Sequence, residues 1–195
     1  MRIIGGSARG RVLAGPRHPG LRPTADRVRQ ALFDLLGQTL QGEAVLDLYA
    51  GTGALALEAL SRGASSALLV DRDPAALELC RKNAATLGFG DRTLNLDLDL
   101  PQGIDALVKR GGRFDLVFVD PPYAADPPGR REAPTPSACE EVLRRLAASG
   151  ILAPGARVVV EHDRRDPVQV VPRGLRQIDQ RRFGDTEISV FLRED

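Results

Sequence analysis

An acid, two prolines and an aromatic ring, Asp120-Pro121-Pro122-Tyr123, follow the apolar run Leu116-Val117-Phe118-Val119. Far upstream stands Asp47-Leu48-Tyr49-Ala50-Gly51-Thr52-Gly53. The amine of a purine base is a poor nucleophile, because its lone pair is delocalised into the ring. Acceptors that draw on its N–H hydrogens restore density on nitrogen as a new C–N bond forms. The Asp120 carboxylate and the Pro121 carbonyl can both point at one amine, and the prolines stiffen the backbone that carries them. Tyr123 offers a ring on which an extruded base can stack. A glycine turn after an earlier strand suits a nucleoside-containing cofactor. Together, in this order, the motifs point to methyl transfer from S-adenosylmethionine to an exocyclic nitrogen, with Asp120, Pro121, Pro122 and Tyr123 as the catalytic set.

Gly51-Thr52-Gly53-Ala54-Leu55-Ala56 also fits the dinucleotide fingerprint, with Asp71 placed at the end of the next strand. An NAD-binding reading therefore competes. A pyrophosphate favours a helix N-terminus free of negative charge, yet Asp47 stands just before the turn. S-adenosylmethionine has no phosphate and carries sulfonium and ammonium charges, so an acid there is favourable. The alternative for Asp47 is that it organises the turn by bonding backbone N–H groups. Asp71 would accept hydrogen bonds from the ribose hydroxyls. Asp97 is preferred over Asp99 for the adenine amine, although the repeat Asp97-Leu98-Asp99-Leu100 leaves the register open. With Tyr49 and Arg72, the expected cofactor set is Asp47, Tyr49, Gly51, Gly53, Asp71, Arg72 and Asp97.

Elements that could hold these residues alternate as strand and helix from residue 44 onward, the pattern of a parallel sheet covered on both faces. Strands are expected at 45–49, 67–70, 93–96, 115–119 and 157–161, with helices at 53–62, from Asp73-Pro74 towards Gly88, at 104–110 and at 137–148. Gly63 is placed to close the first of these helices. Segments 175–183 and 187–192, joined by Gly184-Asp185, form an expected antiparallel hairpin. Residues 3–13, broken by Gly5-Gly6 and Gly10, suggest a small hairpin. After it, Thr24 can cap a helix with Val28, Leu32, Leu35 and Leu36 on one face. The fold class is thus α/β, a Rossmann-like methyltransferase fold with an N-terminal basic extension at 1–41 and a core at 42–195. The proline-rich stretch 124–136 is either a lid or a surface insertion.

A chain of 195 residues with 43% hydrophobic and 27% charged content fits a soluble domain with a full core. It has no apolar run of membrane-spanning length, and its start lacks a secretion signal, so the cytoplasm is expected. Two cysteines and two histidines without metal-type spacing predict reduced thiols and no metal site. Residues 1–30 hold seven arginines against the single acid Asp26. GC-rich codon usage accounts for the excess of arginine over lysine, but not for the shortage of acids here. Arg9, Arg11, Arg22 and Arg27 are the expected nucleic-acid contacts.

Three further stretches stand out: Arg2-Ile3-Ile4-Gly5-Gly6 with Arg9-Gly10-Arg11, Leu21-Arg22-Pro23-Thr24-Ala25-Asp26-Arg27-Val28-Arg29 with Ala31-Leu32-Phe33, and Leu57-Glu58-Ala59-Leu60-Ser61-Arg62-Gly63-Ala64. With the glycine turn, Asp120–Tyr123 and Phe183-Gly184-Asp185-Thr186, they make the chain resemble the RsmD family over nearly its whole length. That resemblance implies a bacterial S-adenosylmethionine-dependent enzyme methylating guanine N2 of 16S ribosomal RNA, usually guanine 966. It also implies that the N-terminal extension engages 16S rRNA or the assembling small subunit, and a monomer is expected. Many relatives have Asn where this chain has Asp120, though Asp also occurs; the long 124–136 loop departs from the commoner pattern. A DNA adenine N6 methyltransferase would share both motifs but needs a target-recognition region, for which little sequence is left. A NAD-binding or non-catalytic nucleic-acid-binding domain would have no use for Asp120–Tyr123.

Overall fold

Val45, Leu69, Leu116, Phe118 and Val159 are buried on one side of a sheet, while Leu46, Leu48, Val70, Val117, Val119 and Val160 are buried on the other. Side chains alternate faces along a strand, so near-continuous apolar runs are stable only between two covering layers. The computed structural model describes residues 1–15, 26–122 and 137–194. Its strands are β1 (Ala44–Leu48), β2 (Ser66–Asp71), β3 (Thr93–Asp97), β4 (Phe114–Val119), β5 (Leu152–Asp163), β6 (Leu175–Phe183) and β7 (Thr186–Arg193). They form one sheet in the order β3-β2-β1-β4-β5-β7-β6. The first five are parallel, and β7 runs antiparallel between β5 and β6. Helices α1 (Asp26–Leu36), α2 (Ala54–Ser61) and α3 (Pro74–Leu87) cover one face; α4 (Ile104–Arg110) and α5 (Ala138–Ser149) cover the other. Among the described residues no helix is long and apolar enough to cross a membrane.

Local chemistry sets the helix ends. Asp73 accepts the Ala75 N–H at 2.9 Å with Pro74 in the first turn, and Gly88 closes α3 at φ 77. Ser137 and Glu140 form a reciprocal capping box at the start of α5. The expected C-terminal hairpin is present as β6 and β7. β5 is longer than expected, because it pairs with β4 on one side and β7 on the other. The inward face of α1 also differs: Arg29, Leu32, Phe33 and Leu36 are buried, while Val28 and Leu35 are only half-buried. A charged residue sits at the centre of that face because it has buried partners. The expected cap Thr24 lies outside the described residues.

Those partners belong to the N-terminal arm and to α2. Residues 1–15 fold back on themselves through a single antiparallel bridge, Arg2 with Val12, and bury Ile3, Ala8 and Leu13 in the same apolar cluster as α1 and α2. Glu58 of α2, fully buried, accepts the Ile4 N–H at 2.8 Å and the Gly5 N–H at 2.7 Å. Arg62, one turn later, donates to Glu58 at 2.8 Å and lies 4.8 Å over the Phe33 ring. Arg29 approaches Glu58 at 3.9 Å and donates to the Arg2 carbonyl at 2.6 Å. Gly6 completes the seating at φ 72. A Cβ there would fall 1.8 Å from the Ser61 carbonyl oxygen, which instead accepts the Ser7 N–H at 2.7 Å.

One buried carboxylate thus serves two arm N–H groups and two arginines. Removing it leaves buried charge and donors unpaired, so Glu58→Ala is expected to cost about 3–5 kcal/mol in urea unfolding. Amide hydrogen exchange within residues 1–15 should rise at the same time. A loss below about 1 kcal/mol, the size of a surface ion pair, would show that apolar packing alone seats the arm.

Candidate active site

The chain leaves β1 towards β2 on one side, whereas β4 pairs with β1 on the other. The carboxyl ends of β1 and β4 are therefore the topological switch point, where such sheets usually hold ligand in a crevice. Register brings the two sequence motifs together there. Leu48 of β1 pairs with Val70 of β2 and Val119 of β4, and the Asp120 N–H approaches the Leu48 carbonyl at 3.5 Å. Asp71 lies beside Asp97 at the ends of β2 and β3. Tyr49, Gly51, Gly53, Asp71, Arg72, Asp97, Asp120, Pro121 and Pro122 consequently share one edge of the sheet.

Side chains from β2 and α3 grip the glycine turn. Asp71 accepts the Gly51 N–H at 2.9 Å on one carboxylate oxygen and the Asp73 N–H at 2.9 Å on the other. Cys80 of α3 donates to the Gly51 carbonyl at 3.3 Å, and Asn83 donates to the Thr52 carbonyl at 3.0 Å. Gly53 adopts φ 75 as the N-cap of α2, and a Cβ there would fall 2.8 Å from Leu69. Because glycine brings no capping side chain, the third helical N–H, that of Ala56, takes its acceptor from elsewhere. It donates to Asp47 at 3.1 Å. Asp47 is 2% exposed, so the geometry gives it the turn-organising contact that was the alternative reading of the sequence. Burial pushes its carboxyl up to about 8; the Ala56 N–H opposes this, and the charge of Asp71 adds to it.

Tyr49 has φ 63, the left-handed region, where a bulky side chain is disfavoured by about 1–3 kcal/mol. The turn holds it there with its ring half-buried, and burial pushes its hydroxyl up to about 12, with Cys139 and Asp99 adding to the rise and Arg72 opposing it. Arg72 pairs with Asp99 at 3.5 Å, both largely exposed, while Asp97 stands exposed in register with Asp71. Cys139, at the start of α5, is buried close enough for Asp120 to contribute to raising its thiol, after burial itself and Asp166. Both cysteines are buried and unbridged.

Away from the crevice, Arg9, Arg11 and Arg27 are exposed, and Arg11 donates to the Thr86 carbonyl at the end of α3. Tyr123, Arg22 and the 124–136 loop lie outside the described residues. Sequence reasoning missed Asn83 and Glu58 as structural partners. A signal existed for Glu58, since it and Arg62 are the only charges in an apolar stretch of helix and stand one turn apart. Asn83 carried a weaker one, a single amide on the apolar face of α3 between Cys80 and Leu87.

The family model described as "Conserved hypothetical protein 95" matches residues 1–192. Ribosomal RNA small subunit methyltransferase D of Escherichia coli (strain K12) is 37% identical over 195 residues, 100% of this chain and 90% of that protein. The Haemophilus influenzae protein of the same name is 31% identical over 170 residues, 86% of this chain and 81% of its own length. The solved structure of yhhF from Escherichia coli matches with a TM-score of 0.82 at 32% identity, covering 100% of this chain and 98% of that one. The chain belongs to this family, the RsmD family of methyltransferases.

Proposed function

We propose that this chain transfers the methyl group of S-adenosylmethionine to the N2 amine of a guanine in 16S rRNA, with guanine 966 as the target. The observation that carries the reading is the pairing of β1 with β4, which sets Asp120-Pro121-Pro122 beside the glycine turn. The groups around the turn suit a cationic nucleoside cofactor. Asp71, Asp97 and Asp99 gather at the crevice, Asp47 is buried behind it, and Arg72 is already paired with Asp99.

S-adenosylmethionine supplies a methyl group activated by the sulfonium charge. Asp71 would accept from the ribose hydroxyls and Asp97 from the adenine amine, with the Gly51–Gly53 backbone admitting close approach. The Asp120 carboxylate and Pro121 carbonyl would accept from the guanine amine, and Tyr123 would stack on the base. Rate would come from orientation and from acceptors placed where positive charge develops on nitrogen. Arg9, Arg11, Arg22 and Arg27 would hold phosphates, so that residues 1–41 act as the RNA-engaging extension of a catalytic core at 42–195. The substrate would be the rRNA or the assembling small subunit, met in the cytoplasm by a monomer.

Binding and chemistry should separate by residue. Asp120→Ala is expected to slow single-turnover methyl transfer by at least about a hundred-fold, the effect of losing one placed transition-state partner. Its affinity for S-adenosylhomocysteine should stay close to wild type, and Asp120→Asn, which keeps an acceptor oxygen, should retain appreciable activity. Asp71→Ala should lose about ten-fold or more in that affinity, because charge-assisted hydrogen bonds are lost. Wild-type transfer by Asp120→Ala would reduce the motif to a strand-end turn.

The arm makes a separate prediction. Replacing Arg9 and Arg11 with Ala should weaken RNA binding and lower the log–log salt slope by about 0.7–0.9 for each lost phosphate contact. An unchanged slope would assign both arginines to surface solvation.

A further inference from the structure

Asn83 joins the N-terminal arm to the glycine turn. Its side chain is 1% exposed, and its amide makes three hydrogen bonds. The oxygen accepts the Ala14 N–H at 2.8 Å, and the nitrogen donates to the Ala14 carbonyl at 3.1 Å and to the Thr52 carbonyl at 3.0 Å. Both amide hydrogens are therefore committed, one to each segment. Ala14 follows directly on Leu13, whose N–H closes the arm onto the Met1 carbonyl at 3.0 Å. Thr52 follows Gly51, whose N–H Asp71 accepts and whose carbonyl accepts from Cys80.

This arrangement constrains movement. A buried donor or acceptor left unmade is disfavoured far more than a formed bond is favoured, so Ala14 and Thr52 either keep their spacing or break the network together. A ligand that orders the arm also orders the turn through the same amide. A second ligand then meets a site already ordered, which gives positive coupling without any large change of shape. That coupling is necessarily reciprocal.

We infer that Asn83 is a positioning residue that couples seating of the arm on RNA to the shape of the cofactor turn, so that RNA and cofactor each tighten the binding of the other. This rests on the reading that the turn takes S-adenosylmethionine and the arm takes RNA. Calorimetry with S-adenosylhomocysteine on the full chain, with and without a 16S rRNA fragment carrying the target guanine, tests it. RNA should raise the wild-type affinity by at least about five-fold, the lower end of ordinary allosteric couplings. In Asn83→Ala the ratio should fall to near one, whatever happens to the separate affinities. Because that substitution also removes buried hydrogen bonds, hydrogen exchange on the wild type gives a second readout: S-adenosylhomocysteine should slow exchange within residues 1–15. Equal affinity with and without RNA, an undiminished ratio in the folded variant, or unchanged exchange in the arm overturns the inference while leaving the proposed reaction standing. A wild-type protein that binds no S-adenosylhomocysteine overturns both.

Discussion

Parallel pairing of β1 with β4 is the constraint from which the site follows. Both strands are buried on both faces, with Leu46, Leu48, Val117 and Val119 in one layer and Val45, Leu116 and Phe118 in the other. A slip of one residue would exchange the layers and drive Asp47 or Asp115 into the wrong one. Asp115 helps hold the register from the opposite end of the strands, accepting the Ala44 N–H at 2.8 Å. With the register set, Tyr49 and Asp120 leave neighbouring strands side by side. The sheet then reverses direction of growth at this pair, the switch point where such sheets usually bind ligands.

Charge is distributed in keeping with that geometry. Acids collect at the carboxyl ends of β2 and β3, whereas Arg11 of the arm is held at the end of α3 by the Thr86 carbonyl. Glu58, Arg29 and Arg62 make the arm part of the packed structure rather than a tail. A buried ionic cluster of this kind contributes little net stability over apolar packing. It does fix where the arm lies, because few other placements satisfy the same charges.

Much of this was legible from the residues. The capping acid Asp73, Pro74 and the closing Gly88 mark α3 in the sequence, and the apolar run before Asp120 marks a buried strand. Features that depend on long-range partners were not legible. Arg29 reads as a solvated charge until the arm is seen folded over it, so the expected face of α1, Val28, Leu32, Leu35 and Leu36, left it out. Asp47 was weighed first as a neighbour of the cofactor, and only the missing side chain at Gly53 shows why Ala56 needs its carboxylate. The extra length of β5 depends on β7, which comes after β6 in sequence yet pairs alongside β5.

The proposed reaction makes a statement about one atom of one nucleotide, and product mapping tests it most directly. The full-length protein would be incubated with methyl-labelled S-adenosylmethionine and either 16S rRNA or small subunits lacking the modification, and the RNA digested and resolved by mass spectrometry. Label is expected as N2-methylguanosine, confined to the fragment containing guanine 966, from at least one of the two substrates. Label on adenine N6, on another guanine atom, or on DNA in preference to either RNA substrate would contradict it.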